Sequence, residues 1–117
     1  MGTFSVDLWV GNLFTDAGTT VSALVDTGAT NSMLPASLLG ELGIEPVEVR
    51  TARLADGRRV EFQTAWARFS AAGRNAVARV AFGPEDEYLM GATTLEDLGM
   101  VVDPVDQRLI VQDDLMM

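Results

Sequence analysis

From Thr3 to Val10 the chain alternates, with Phe4, Val6, Leu8 and Val10 on one side and polar or small residues mostly on the other. This is the period of a half-buried strand, not of a helix. The pattern keeps being broken and restarted. Gly11-Asn12 and Asp16-Ala17-Gly18 supply turn residues, so the segment predicts a hairpin returning through Thr20 to Val25. Strands are further predicted from Val47 to Leu54, from Arg59 to Phe69 and from Ala76 to Phe82. They are joined by Ala55-Asp56-Gly57-Arg58, a good hairpin signal, and by Ala72-Gly73-Arg74. After the loop 83–87, Tyr88-Leu89-Met90-Gly91 reads as a short apolar strand. Met100 to Val102 and Arg108 to Val111 form a last hairpin around Asp103-Pro104-Val105-Asp106.

Only two windows look helical. Pro35 to Gly43 holds one or two turns, with Pro at the start and Gly at the end. Thr93 to Leu98 holds another, with Thr93 or Thr94 as N-cap, Glu96 and Asp97 in the first turn, and Gly99 stopping it. The expected class is therefore mainly β, and 117 residues fit one domain spanning the chain, 1–117. A weak internal symmetry is visible. Leu24 to Ile44 and Leu89 to Val102 both read apolar strand, small polar loop, short helix, Gly, strand.

What the chain lacks narrows its chemistry. It has no Cys and no His, and its eight basic residues are all Arg. Disulfides, thiolate nucleophiles, zinc-thiolate sites, a Ser-His-Asp triad and a Schiff-base lysine are thereby excluded. Any proton transfer performed by this chain alone falls to carboxylates. The formal net charge of −9 argues against nucleic acid as a partner, since phosphate binding needs a concentrated positive field. No apolar run approaches the roughly 20 residues of a membrane-spanning helix, so no membrane partner is expected. The N-terminus has neither a basic region nor an apolar signal core, which makes the cytoplasm the default location. The chain can equally be a domain of a longer protein.

The segment that concentrates chemistry is Leu24-Val25-Asp26-Thr27-Gly28-Ala29-Thr30. An apolar strand delivers one acid into a tight loop. A buried lone carboxylate is costly unless the loop hydrogen-bonds it or a second group shares its proton. Gly28 lets the backbone come close to the acid, and Thr27 offers a hydroxyl to a neighbouring chain or loop. On its own such an Asp more often just caps a turn.

In context the sequence resembles the retropepsin-like aspartic proteases, of the single-domain retroviral type. Val25-Asp26-Thr27-Gly28-Ala29-Thr30 matches their catalytic segment. Leu89-Met90-Gly91 followed by Leu95-Glu96-Asp97-Leu98-Gly99 matches their second motif, and Asp56-Gly57 falls where their flap hairpin turns. The resemblance implies a retropepsin-like closed β-barrel with a flap and one or two short helices. It also implies an aspartic endopeptidase without metal or cofactor, acting on peptide or protein substrates. Asp26, Thr27 and Gly28 would be catalytic, and Ala29, Thr30, Asp56, Gly57 and Arg58 would contact substrate. Only one Asp-Thr-Gly is present, so a homodimer would have to supply the second acid. Retroviral members often carry an acid two residues after the Gly of this segment and an Arg after the Gly of the second motif. Thr30 and Ala92 stand there, which resembles the cellular and bacterial branches more. A peptide-binding or dimerisation module with a silent Asp26 is the competing expectation. A third is an unrelated small β-barrel with a chance Asp-Thr-Gly.

Other features read plainly. Arg58-Arg59 is expected to be a solvated flap edge, Glu85-Asp86-Glu87 a water-facing loop, and Trp9 and Trp66 packing residues. The Ile110 strand and the tail Leu115-Met116-Met117 are candidates for pairing between chains.

Overall fold

The computed structural model describes residues 3–53 and 56–112. Strand β1 (Ser5–Gly11) pairs antiparallel with β2 (Gly18–Val25), in register from Ser5↔Leu24 to Gly11↔Gly18. The alternation decides which side faces in: Leu8 and Val10 are fully buried, whereas Ser5 and Asp7 are exposed. Asn12 organises the loop between them. Its amide N–H donates to Ala17 O (2.9 Å), its Oδ1 accepts from Phe14 N (2.7 Å), and its Nδ2 donates to Leu42 O (2.9 Å).

Strand β3 (Ser32–Pro35) runs into helix α1 (Ala36–Glu41). Pro35 is extended at the helix N-cap, one residue earlier than its expected place inside the first turn. Gly43 follows the helix at φ 75°, a left-handed position that suits glycine. Then β4 (Glu48–Arg53), β5 (Arg59–Ala71) and β6 (Arg74–Gly83) form an antiparallel meander. Leu54 and Ala55, expected at the end of β4 and in its turn, lie outside the described residues, as does the tail Leu115-Met116-Met117. β5 and β6 each run about two residues further toward each other than expected. Their turn needs only Ala72 and Gly73, both at positive φ (49° and 81°), a geometry that follows the natural twist of paired strands.

The chain closes with β7 (Leu89–Met90), helix α2 (Ala92–Leu98), β8 (Met100–Asp103) and β9 (Arg108–Val111). The N-cap of α2 is Gly91, not Thr93 or Thr94, and no acid stands in its first turn; Glu96 and Asp97 are exposed further along. The two threonines are taken up by other partners, described below.

The main sheet runs β1-β2-β7-β3-β6-β5-β4, and β1 also pairs with β5 from Trp9↔Ser70 to Gly11↔Arg68. The hydrogen-bonded path thus returns to β1 and leaves β4 projecting. β8 and β9 make a separate two-stranded sheet. The architecture is all-β with two short helices. Leu8, Val10, Leu34, Leu39, Phe69, Val80, Met90 and Leu98 fill the interior, and each such side chain contributes about 1.5–3 kcal/mol by leaving water. The two similar sequence units start from adjacent strands: β2 and β7 pair in parallel, Leu24↔Leu89 and Val25↔Met90. Both units end their helix on a left-handed glycine, Gly43 and Gly99.

Candidate active site

Asp26 is the first residue past β2, and its position is fixed from both sides. Val25 N donates to Phe4 O (2.9 Å), and Asp26 N donates to Met90 O (3.0 Å). The chain then turns sharply. Ala29 N donates to Asp26 O (3.1 Å), and Gly28 N donates to the Asp26 carboxylate oxygen Oδ1 (3.0 Å). A Cβ on residue 28 would sit 3.3 Å from that same oxygen, so glycine keeps the backbone close to the acid without crowding it.

The far half of the loop is bound to the start of α2. Ala92 N donates to Ala29 O (2.8 Å), and Thr93 donates to Thr30 O through both its N–H and its hydroxyl (2.9 Å each). Free N–H groups at a helix start need partners from outside the helix. Here the loop carbonyls provide them, which explains why no threonine side chain caps α2. These contacts join the Asp26 loop to the segment opened by Gly91 through backbone and hydroxyl bonds, with Thr30 and Ala92 contributing no charge. Beneath them, Ser32 Oγ accepts from Gly91 N (3.0 Å) and shares a hydrogen bond with Thr94 Oγ1, both side chains being fully buried. Gly91 has no room for a side chain: a Cβ would lie 2.5 Å from the Asn31 carbonyl carbon and oxygen.

The Asp26 side chain is half-buried, Thr27 and Gly28 are exposed, Ala29 is half-buried and Thr30 exposed. Asp26 and Thr27 border a cleft of about 420 Å³ together with Thr3, Phe4, Val25, Val102, Pro104 and Gln107. Among the described residues, no second acid lines it. Ala29 and Thr30 border another cleft, about 520 Å³, whose opposite wall is the β4–β5 hairpin through Arg50, Ala52, Val60 and Phe62. Asp56, Gly57 and Arg58 occupy the tip of that hairpin and do not line the cleft. Gly57 is at φ 89°, and Asp56 accepts from Arg58 N (3.0 Å) and Arg58 Nε (2.7 Å). Phe4, Pro104, Gln107, Arg50 and Phe62 were not singled out by sequence pattern as site residues. They come from strands and turns far from Asp26 in the chain, and nothing in their local sequence marks them.

Three carboxylates around this frame are held below the ordinary range by specific donors. Glu48 is lowered mainly by Arg79 and then Arg50, Asp56 by the Arg58 backbone and side chain, and Asp103 chiefly by the Asp106 backbone N–H. Glu85, in the acidic loop, accepts the single Ser37 hydroxyl proton, which lies within reach of both carboxylate oxygens (Oγ at 3.0 and 2.9 Å). Trp9 and Trp66 lie at the surface under guanidinium groups, Arg68 over Trp9 at 5.0 Å and Arg79 over Trp66 at 4.5 Å.

Residues 14–102 match the aspartyl protease family, a span from the first hairpin loop through β8 that includes Asp26, the β4–β5 hairpin and Gly91. The chain belongs to that family. Its fold is also that of retroviral proteases. The solution structure of simian foamy virus (mac) protease superposes with a TM-score of 0.58 at 21% identity, covering 79% of this chain and 91% of that one. A foamy viral protease–reverse transcriptase, solved in complex with double-stranded DNA, gives a TM-score of 0.54 at 20% identity over 77% of this chain and 14% of that one. No curated protein matches the chain significantly. The family and the fold together support a retropepsin-like aspartic protease.

Proposed function

We propose that two copies of this chain form an aspartic endopeptidase in which Asp26 of each copy supplies half of a catalytic dyad. Asp26 itself carries the proposal: one carboxylate, fixed by backbone bonds at a cleft edge and approached there by no second acid among the described residues. Peptide hydrolysis through an activated water needs one carboxylate as base and one as acid. In aspartic-protease dyads generally, two adjacent carboxylates cannot both ionise, and they share a proton. A two-fold axis beside Asp26 turns one acid into such a pair.

Two features of the chain suit that axis. The cleft beside Asp26 and Thr27 opens next to the β8–β9 sheet, through Val102, Pro104 and Gln107. Among the described residues that small sheet has no further strand, and it exposes Val101, Ile110 and Val111 at 41%, 39% and 39%. Apolar edges of this kind favour burial against a second copy.

In the mechanism, ionised Asp26 of one copy takes a proton from a water held between the two acids. The protonated Asp26 of the other copy hydrogen-bonds the scissile carbonyl oxygen as the water oxygen attacks its carbon. That carboxyl passes its proton to the oxygen, giving a tetrahedral diol. The diol collapses as the first copy's Asp26 hands the water's proton to the nitrogen, the C–N bond breaks and a diol hydroxyl returns a proton to the second copy's Asp26, with no covalent enzyme intermediate. Thr27 braces the loops across the axis, and the Gly28 backbone contacts the substrate chain. The β4–β5 hairpin, turning at Asp56-Gly57-Arg58, covers the bound peptide and excludes water. The rate is greatest where the pair holds a single proton, at acidic to near-neutral pH.

A mixed peptide library incubated with the native protein and with Asp26→Asn across that pH range tests the proposal. Cuts made only by the native protein support it. Equal cutting by both removes Asp26 from the mechanism, and no cutting by a native protein that binds the peptides leaves a binding module instead.

A further inference from the structure

The cleft between the Asp26 loop and the β4–β5 hairpin has an uneven lining. Ala29, Met33, Val60, Phe62 and Ala81 make most of its wall apolar, and Arg50 is the one charged residue bordering it among the described residues. Arg50 sits in β4 directly across from Phe62 in β5, with Glu48 two residues before it on the same side of the strand.

Glu48 neutralises Arg50 only in part. Its Oε1 accepts from Arg79 Nη1 at 2.6 Å and from Arg50 Nε at 3.2 Å, so one carboxylate serves two guanidinium groups. Arg79 is the tighter partner and also the more enclosed. Its side chain is 14% exposed, bonded to Thr64 Oγ1 (3.0 Å) and stacked over Trp66. Arg50 is 49% exposed and held only through Nε. Its two terminal nitrogens have no partner among the described residues. Those nitrogens form the fork that fits a carboxylate in a two-point contact.

We propose that Arg50 makes this cleft a subsite selecting an acidic side chain, Asp or Glu, in a bound peptide. The inference deepens the peptidase proposal and rests on it for the identity of the ligand. The apolar wall takes the aliphatic part of the residue and its neighbours, and the guanidinium fork takes the carboxylate. The net charge of −9 works against an acidic ligand only at a distance. Screening confines exposed charges to about 8 Å at physiological salt, so the contact with Arg50 outweighs it. Arg58 and Arg59, at the hairpin tip, lie outside the lining, which leaves Arg50 as the selecting cation.

The test uses short peptides in which a reduced amide replaces the scissile bond, in matched pairs carrying Glu or Gln at each position in turn. Their affinities are measured for the native protein, Arg50→Met and Arg53→Met, the last an exposed arginine outside the lining. Methionine keeps an apolar stem at an exposed position of an edge strand, so the fold survives. The native protein and Arg53→Met bind the Glu member about tenfold tighter at one position. Arg50→Met loses that preference while holding the Gln member unchanged. No acid preference at any position, a preference that survives Arg50→Met, or no peptide binding at all overturns the inference. Because the peptides cannot be cut, the outcome is separate from catalysis. A protein that cleaves library peptides without acid preference sinks only the role of Arg50. One that binds Glu through Arg50 yet cuts nothing sinks only the peptidase proposal.

Discussion

The buried hydroxyl pair Ser32–Thr94 ties the start of β3, just past the Asp26 loop, to α2, and removing it has a calculable cost. Ser32 Oγ accepts from Gly91 N and is hydrogen-bonded to Thr94 Oγ1, with both side chains at 0% exposure. Ser32→Ala therefore strands two buried polar groups, the Gly91 N–H and the Thr94 hydroxyl. At about 1–3 kcal/mol for each unsatisfied group, the loss is about 2–6 kcal/mol. Thr94→Val keeps the shape and strands only the Ser32 hydroxyl proton, at about 1–2 kcal/mol. The double variant leaves the Gly91 N–H alone unpaired, about 1–3 kcal/mol, so it is more stable than the sum of the singles by about 2 kcal/mol or more. Urea unfolding at a fixed protein concentration measures this coupling, with m-values checked for constancy because an assembled protein's stability depends on concentration. Additivity within about 0.5 kcal/mol would refute the claim that the two hydroxyls act as a unit.

Two further outcomes follow from named contacts. Gly91→Ala forces a methyl group against the Asn31 backbone at 2.5 Å, where no flexible side chain can yield. It should cost about 1–3 kcal/mol and reduce peptide cleavage more than the folded fraction falls; wild-type cleavage per folded molecule would count against the role given to this contact. The carboxyls of Glu48, Asp56 and Asp103, held below their ordinary values of 4.5, 3.8 and 3.8, contribute to the acid limb of stability. A depressed folded-state value favours the fold above the ordinary value and ceases to do so as pH falls through the lowered one. Thermal midpoints should hold steady above about pH 5 and decline gently below about pH 4.5, less so in Glu48→Gln. The decline is shallow because these groups face solvent and is largest at low salt. An identical acid decline in Glu48→Gln would remove Glu48 from the account.

Much of this was legible in the sequence because the fold is written in short-range signals. Alternation gave β1, glycine turns gave the hairpins, and Asp-Thr-Gly with Met90-Gly91 marked the two segments that meet at the site. The misplaced N-cap of α2 shows where local signals stop. Thr93 and Thr94 are good capping residues taken alone, but Thr30 and Ser32, some sixty positions earlier, claim their hydroxyls. Cleft walls were invisible for the same reason. Phe4 reaches Asp26 through the long-range β1–β2 pairing, and Pro104 and Gln107 only because β7 pairs with β2 and the chain then folds back through β8. Arg50 looked like one arginine among eight. Its significance comes from facing Phe62 across the hairpin and from Arg79 holding the carboxylate that would otherwise neutralise it.

The central claim is that two copies of Asp26 act as one dyad, and subunit mixing tests it most directly. Native protein and Asp26→Asn are combined at constant total concentration, allowed to exchange, and assayed for cleavage of a library-derived peptide. If each active unit needs two native chains, activity follows the square of the native fraction, and an equal mixture retains about one quarter. Activity that falls in simple proportion, leaving about one half in the equal mixture, would mean that each chain works with its own Asp26 alone, and would contradict the account.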